Sequence, residues 1–339
     1  MNEPKMTPDI DPNRDQRPKT YPAPEFPPRR AALFARTPPA VFPVVLGLLG
    51  LALSLKRAVV LGELPAALSD PVMGMVVGLW LFCALAYGAK VFRRRGVVLE
   101  DLRVLPGRAG LASGSVGALA VAAILAFFDP LAAKVMLVAG LALQLTLTAL
   151  TVRALLAAPP EGRDVTPAWH LSFVGYIVGA LAAVPLGWTL LATVILWVTM
   201  AFAVGIWAVS LWQLYRRTPP APLRPLLAIH LAPASLFASV GGLLEQDGLA
   251  QAMVFLGLAI LIALLLAGPW ITESGFSPMW GAFTFPLAAF ASALMINGWV
   301  MPGVLVTVLA LGVNTSIAWR VLSMWPGGKL AARTNATEA

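Results

Sequence analysis

Two histidines, His170 and His230, and one cysteine, Cys83, are the scarce reactive side chains of this chain, and no aspartate or glutamate falls in the middle of a long apolar run. No catalytic triad and no metal set can be assembled from that stock. Cys83 itself lies in an apolar run, where a lone thiol makes neither an internal disulfide nor a metal centre. Membrane prenyltransferases need paired aspartates for magnesium pyrophosphate. Cation-coupled carriers keep an intramembrane carboxylate despite an insertion cost of about 2.5–3.5 kcal/mol. Both features are missing, so the sequence predicts no enzyme, no cofactor and no metal. What is left is uncharged polar chemistry. A path without negative charge suits anions, which helix N-termini, hydroxyls and backbone N–H groups can solvate.

His230 is the one side chain deep in an apolar run that ordinarily titrates near neutral pH, and it stands three residues before Pro233. In a pore it would donate to an anion or respond to pH; between helices it would be a hydrogen-bond partner. His170 reads as interfacial. Ser113, Ser115, Ser172, Tyr176, Ser235 and Thr284 lie on alternate runs. They are candidates to line a path, and each can instead satisfy kinked backbone.

The elements that must position these groups are membrane spans. The chain is 59% hydrophobic and 12% charged, against about 25% charged in soluble domains. A span needs about 20 apolar residues. The sequence predicts an all-α protein with about ten spans, at 38–55, 70–91, 110–128, 131–154, 168–186, 188–214, 222–243, 248–269, 277–297 and 300–322. Residues 1–37 are polar and Pro-rich, without a signal-peptide core, and read as a disordered tail. Residues 38–325 form one transmembrane domain, and 326–339 a short polar tail.

The net charge of +8 is topological rather than a sign of nucleic acid. Arg29, Arg30 and Arg36 precede the first span. Arg93, Arg94, Arg95, Arg103 and Arg108 follow the second, Arg153 and Arg163 the fourth. Arg216, Arg217 and Arg224 surround the loop after the sixth, and Arg320, Lys329 and Arg333 close the chain. Intervening connections are shorter or acidic, as at Glu245 and Asp247; Lys56 and Arg57 are the exceptions. The positive-inside rule then puts both termini in the cytoplasm. The spans pair into five hairpins whose odd members carry most of the interruptions, among them Pro43, Pro185, Pro233 and Pro286. A proline inside a helix frees a carbonyl four residues back, Ile229 for Pro233 and Ala282 for Pro286. Freed carbonyls face protein or water in a membrane. The pattern predicts an inner ring of broken odd helices around a pore and an outer ring of even helices facing lipid. Close helix packing by Gly and Pro is the competing account.

The ninth span opens with Phe276-Ser277-Pro278-Met279-Trp280-Gly281-Ala282-Phe283-Thr284-Phe285-Pro286-Leu287. It resembles the Trp-Trp-Ala-aromatic-Thr-Phe-Pro element of the tellurite-resistance/dicarboxylate transporter (TDT) family, which includes TehA-like proteins and plant slow anion channels. Thr166-Pro167-Ala168-Trp169 with Val174-Gly175 is similar to that family's fifth-helix opening. Leu223-Arg224-Pro225 with Leu231-Ala232-Pro233 is similar to the start of its seventh. The resemblance covers about residues 38–325. It implies five hairpins in quasi-fivefold symmetry around a central pore, a homotrimer with one pore per subunit, and a bacterial inner-membrane location. It also implies a mid-membrane phenylalanine gate, which falls on Phe285, with Phe283 and Thr284 beside it. The cargo implied is a small inorganic or organic anion such as chloride, nitrate, sulfite, malate or tellurite. Apart from the lipid bilayer and further copies of the chain, no partner is implied.

Two departures stand out. Gly281 replaces the second tryptophan, and His170-Leu171-Ser172 stands where relatives carry an apolar pair and then proline. The early kink of the fifth helix is therefore expected to be absent, with a wider or more polar pore beside it. The alternative reading is a ten-span alternating-access exporter of metabolites, organic anions or drugs, built of two five-helix halves. A membrane scaffold or receptor is a third.

Overall fold

The computed structural model describes residues 32–339. Arg29, Arg30 and most of the expected tail at 1–37 lie outside the described residues. Among the described residues all regular structure is helical. The long elements are α1 (Phe42–Leu61), α2 (Asp70–Arg93), α4 (Leu105–Leu125), α5 (Pro130–Ala157), α7 (Thr189–Arg216), α8 (Leu231–Leu243), α9 (Asp247–Leu266), α11 (Thr284–Ile296) and α12 (Val300–Leu322). Shorter ones are α3 (Val97–Arg103), α6 (Ile177–Ala183), α10 (Gly268–Ile271) and α13 (Lys329–Arg333). With the 3₁₀ turns that lead into them, nine of these segments are long and apolar enough to cross a membrane. The fifth crossing is the shorter His170–Ala183.

Burial separates the segments into two rings. In the first, third, seventh and ninth spans 61 to 89% of the most apolar window is buried; in the even spans the figure is 17 to 28%. The inner segments contact one another in a closed cycle: α1 with α4, α4 with α6, α6 with α8, α8 with α11, and α11 back to α1. Each outer helix packs on the inner helix before it and on the one after it. Thus α2 bridges α1 and α4, α5 bridges α4 and α6, α7 bridges α6 and α8, α9 bridges α8 and α11, and α12 bridges α11 and α1. The same arrangement repeats five times about one axis. Exposed Leu145, Phe202, Leu265 and Leu305 give the outer helices an apolar lipid-facing surface.

All the inner segments but α4 begin as irregular helix, and this corrects the expectation of mid-helix kinks. The seventh span is 3₁₀ over Ala221–His230 and turns α at Leu231; the ninth is 3₁₀ over Pro278–Phe283 and turns α at Thr284. Pro233 and Pro286 fall in the first α turn after each change, where a missing N–H costs least. Pro43 likewise lies in the first turn of α1, and Pro185 lies just past the end of α6. The fifth segment corrects the sequence reading more directly. Without a proline it still breaks, as a π-helical turn at His170–Val174. Gln144 Nε2 on α5 donates to the Leu171 and Ser172 carbonyls at 2.9 and 3.1 Å, and Thr148 Oγ1 donates to Ser172 O at 2.8 Å. Side chains of the outer helix thus satisfy the carbonyls that an irregular turn releases.

Polar anchors tie the rings together. Asn314 on α12 donates from Nδ2 to Gly47 O on α1 at 3.1 Å and to Thr284 O on α11 at 3.0 Å. Lys90 and Asp101 form a fully buried ion pair at 2.9 Å, which Tyr87 OH joins at 2.9 Å. Lys90 also donates to Thr37 O, and the Thr337 N–H donates to Asp101 Oδ1. The polar stretch 326–339 therefore does not simply trail away. Leu330 of α13 is buried, and the residues that follow pack near Asp101.

Candidate conduit along the ring axis

Two cavities lie within the inner ring, and all five inner segments line each of them. The one toward the C-terminal ends of these segments has a volume of about 230 Å³ and is bordered by Leu53, Ala123, Leu181, Ser239 and Ala289, among others. The one toward their N-terminal ends is smaller, about 40 Å³, and is bordered by Leu46, Ser113, Leu171, Ala232 and Ala282. One residue borders both: Phe285. It is 7% exposed, and its ring rests against the backbone of Gly50. It sits in the first turn of α11 beside Pro286, at the change from 3₁₀ to α winding. Among the described residues no carboxylate borders either cavity, and Arg57 is the one charged residue of the linings.

The other residues expected along the path divide. Ser113 borders the N-terminal cavity and donates to Ala109 O at 2.8 Å. Pro43 and Pro286 border the same cavity, and Pro185 the other. Thr284 is fully buried and donates to Gly281 O at 2.8 Å. Ser235 is buried and donates to Leu231 O at 2.8 Å. Ser172 lends its carbonyl to α5, and Tyr176 OH donates to Thr148 Oγ1 at 3.0 Å. Ser115 Oγ is engaged with Gln144 Oε1. Phe283 packs edge-on against Trp280 with centroids 5.7 Å apart. Pro233 is buried in α8. None of Phe283, Thr284, Ser235, Ser172, Tyr176, Ser115, Pro233 and His230 borders either cavity. The hydroxyls of Thr284, Ser235, Tyr176 and Ser115 bond to backbone or to neighbouring side chains, as hydroxyls in lipid-buried segments often must.

His230 meets His170. Its Nδ1 lies 3.0 Å from His170 Nε2, with the rings edge to face. His170 is buried rather than interfacial, at 2% exposure, and packs beside Trp207. Three lining groups were not singled out as pore residues from sequence. Ser239 and Ser292 border the C-terminal cavity, and so does Arg57, which sequence reading treats only as an exception to the topology rule. α8 is buried on every side, so no amphipathic pattern in the sequence marks Ser239.

Chain and geometry together define an integral membrane protein with a quasi-fivefold ring of helices about an axial cavity pair. Comparison with known proteins agrees. The family model described as voltage-dependent anion channel matches residues 36–325, and the chain belongs to that family. The resemblance carried by the ninth-span element points to the same group. The guard cell S-type anion channel SLAC1 of Arabidopsis thaliana is 30% identical over 157 residues, covering 44% of this chain and 27% of that protein. The chain therefore aligns with about a quarter of the length of the curated relative it matches.

Proposed function

We propose that this protein is a gated conduit for small anions, closed at mid-membrane by the ring of Phe285. The observation that carries the reading is that Phe285 alone borders both axial cavities. An aromatic ring there blocks the path sterically and keeps the narrow point dry; opening needs the ring to swing or α11 to shift. The absence of carboxylates from both linings supports a negatively charged cargo. So does the anion-channel name of the plant relative. Chloride, nitrate, sulfite, malate and the tellurite oxyanion are the cargo class. Arginine-bearing connections at the N-terminal ends of the inner segments support a cytoplasmic position for that face and both termini, in a bacterial inner membrane. The apolar outer helices suit either lipid or two further copies in a homotrimer. An alternating-access exporter has less support, because the motif repeats every two spans and provides no pair of five-helix halves to rock.

The test is electrical. Purified protein in planar bilayers should carry anion-selective current that Phe285→Ala raises severalfold, with bi-ionic reversal potentials ranking chloride, nitrate, sulfite and malate. Unchanged current removes the gate, and cation selectivity removes the cargo class.

A further inference from the structure

We propose that Arg57 is the anion-gathering residue of the C-terminal mouth of the conduit, setting how readily anions enter from that face. The inference rests on the conduit reading above. The five inner segments run in the same direction, so their C-terminal ends all surround one mouth. Each helix end carries about half a negative elementary charge from its unpaired carbonyls. An anion approaching this mouth therefore meets a ring of like partial charge, whereas the opposite mouth offers helix N-termini. The C-terminal side needs a compensating cation, and it has one.

Arg57 stands on α1 four residues before Leu61, and it borders the C-terminal cavity with Ser239 and Ser292. Its neighbour Lys56 is spoken for, pairing with Asp70 at 2.8 Å. Arg57 takes part in no ion pair among the described residues. Since no carboxylate among the described residues lines this cavity, the guanidinium field is not cancelled there by a lining group. The two residues that break the charge rule thus serve different ends: Lys56 braces α1 against α2, and Arg57 faces the path. The Ser292 hydroxyl in the same lining adds a donor toward the path, while Ser239 Oγ donates to Ser235 O at 2.9 Å. By Coulomb's law, one positive charge about 6 Å from the path in a water-like medium enriches a monovalent anion about threefold.

The experiment uses the full chain carrying Phe285→Ala, reconstituted so that only one orientation contributes current. In dilute chloride, Arg57→Gln is expected to cut anion entry from the C-terminal mouth about threefold and to leave entry from the other mouth unchanged. The asymmetry should fade in concentrated salt, where the screening length falls to about 3 Å. Arg57→Lys should preserve it. A version independent of folding uses Arg57→Cys, modified after reconstitution; Cys83 is fully buried and out of reach. A cationic thiosulfonate should restore entry from that mouth, and an anionic one should lower it further. Equal currents for all charges at position 57 would overturn the proposal while leaving the conduit intact. So would equal loss with Lys and Gln. No current in Phe285→Ala at all would overturn the conduit reading and this inference with it.

Discussion

Gly50 on α1 leaves only enough room for the ring of Phe285 on α11: a Cβ at position 50 would approach Cδ2 to 2.9 Å and Cε2 to 3.2 Å. The ring's position across the axis is therefore set by a missing methyl group on the facing helix. Gly50→Ala should push the ring from its seat and raise basal anion current, by less than Phe285→Ala does. In the Phe285→Ala background it should add little, because the two residues act through one contact. Single-channel recording of the two variants and the double mutant checks this; independent, additive effects would dissolve the link between seat and ring.

The Lys90–Asp101 pair is the most deeply buried ion pair among the described residues, with both side chains at zero exposure. Removing one partner strands the other away from water. Asp101→Leu should destabilise the protein by about 3–5 kcal/mol, and Lys90→Met with Asp101→Leu together should recover much of that loss. Thermal unfolding in detergent measures both. If the double mutant falls as far as the single, the pair's hydrogen bonds to Thr37 and Thr337 matter more than its charge.

Asn314 reaches two inner helices at once. Leucine there is nearly isosteric and removes both hydrogen bonds, so Asn314→Leu should cost about 1–2 kcal/mol of stability, in the range of polar contacts inside membranes. Because the bonds end on Gly47 and Thr284, flanking the Gly50–Phe285 contact in sequence, the variant should also raise basal current. Loss of stability with normal gating would confine Asn314 to a structural role.

The two histidines predict a contrast between substitutions. His230→Gln keeps a polar partner for His170 Nε2 and should leave unitary conductance near wild type, since His230 borders neither cavity. His230→Leu orphans that nitrogen and should cost about 1 kcal/mol. Melting curves and conductance measured on the same preparations separate the cases. A large conductance change in His230→Gln would return this residue to the path.

Much of the architecture is legible in the chain because lipid leaves few options. Apolar length gives the spans to within several residues, and the clustering of Pro and Gly on alternate spans marks the inner ring. What escapes is local. Proline at a 3₁₀-to-α junction and proline at a kink look alike in sequence, so Pro233 and Pro286 could not be told apart from true kinks. The fifth segment breaks without proline because Gln144 and Thr148, on another helix, supply the hydrogen bonds; no pattern local to His170–Val174 records that. Hydroxyls on a fully buried helix carry no amphipathic signal, so sequence does not tell Ser113 and Ser239, which border the axial cavities, from Ser235 and Thr284, which do not. Lys90 and Asp101 belong to different elements, and only the turn through α3 brings them together.

The cyclic bracing of the ten segments has a bearing on how the protein is made. Every outer helix leans on the inner helix that follows it, and the last, α12, leans on the first, α1. A chain threaded into the bilayer from its N-terminus must therefore hold α1 with its Gly47–Gly50 flank bare until α11 and α12 leave the ribosome. Biogenesis cannot finish hairpin by hairpin: the seam closes only with the final pair, and a nascent chain halted before residue 284 leaves the wall of inner helices unsealed.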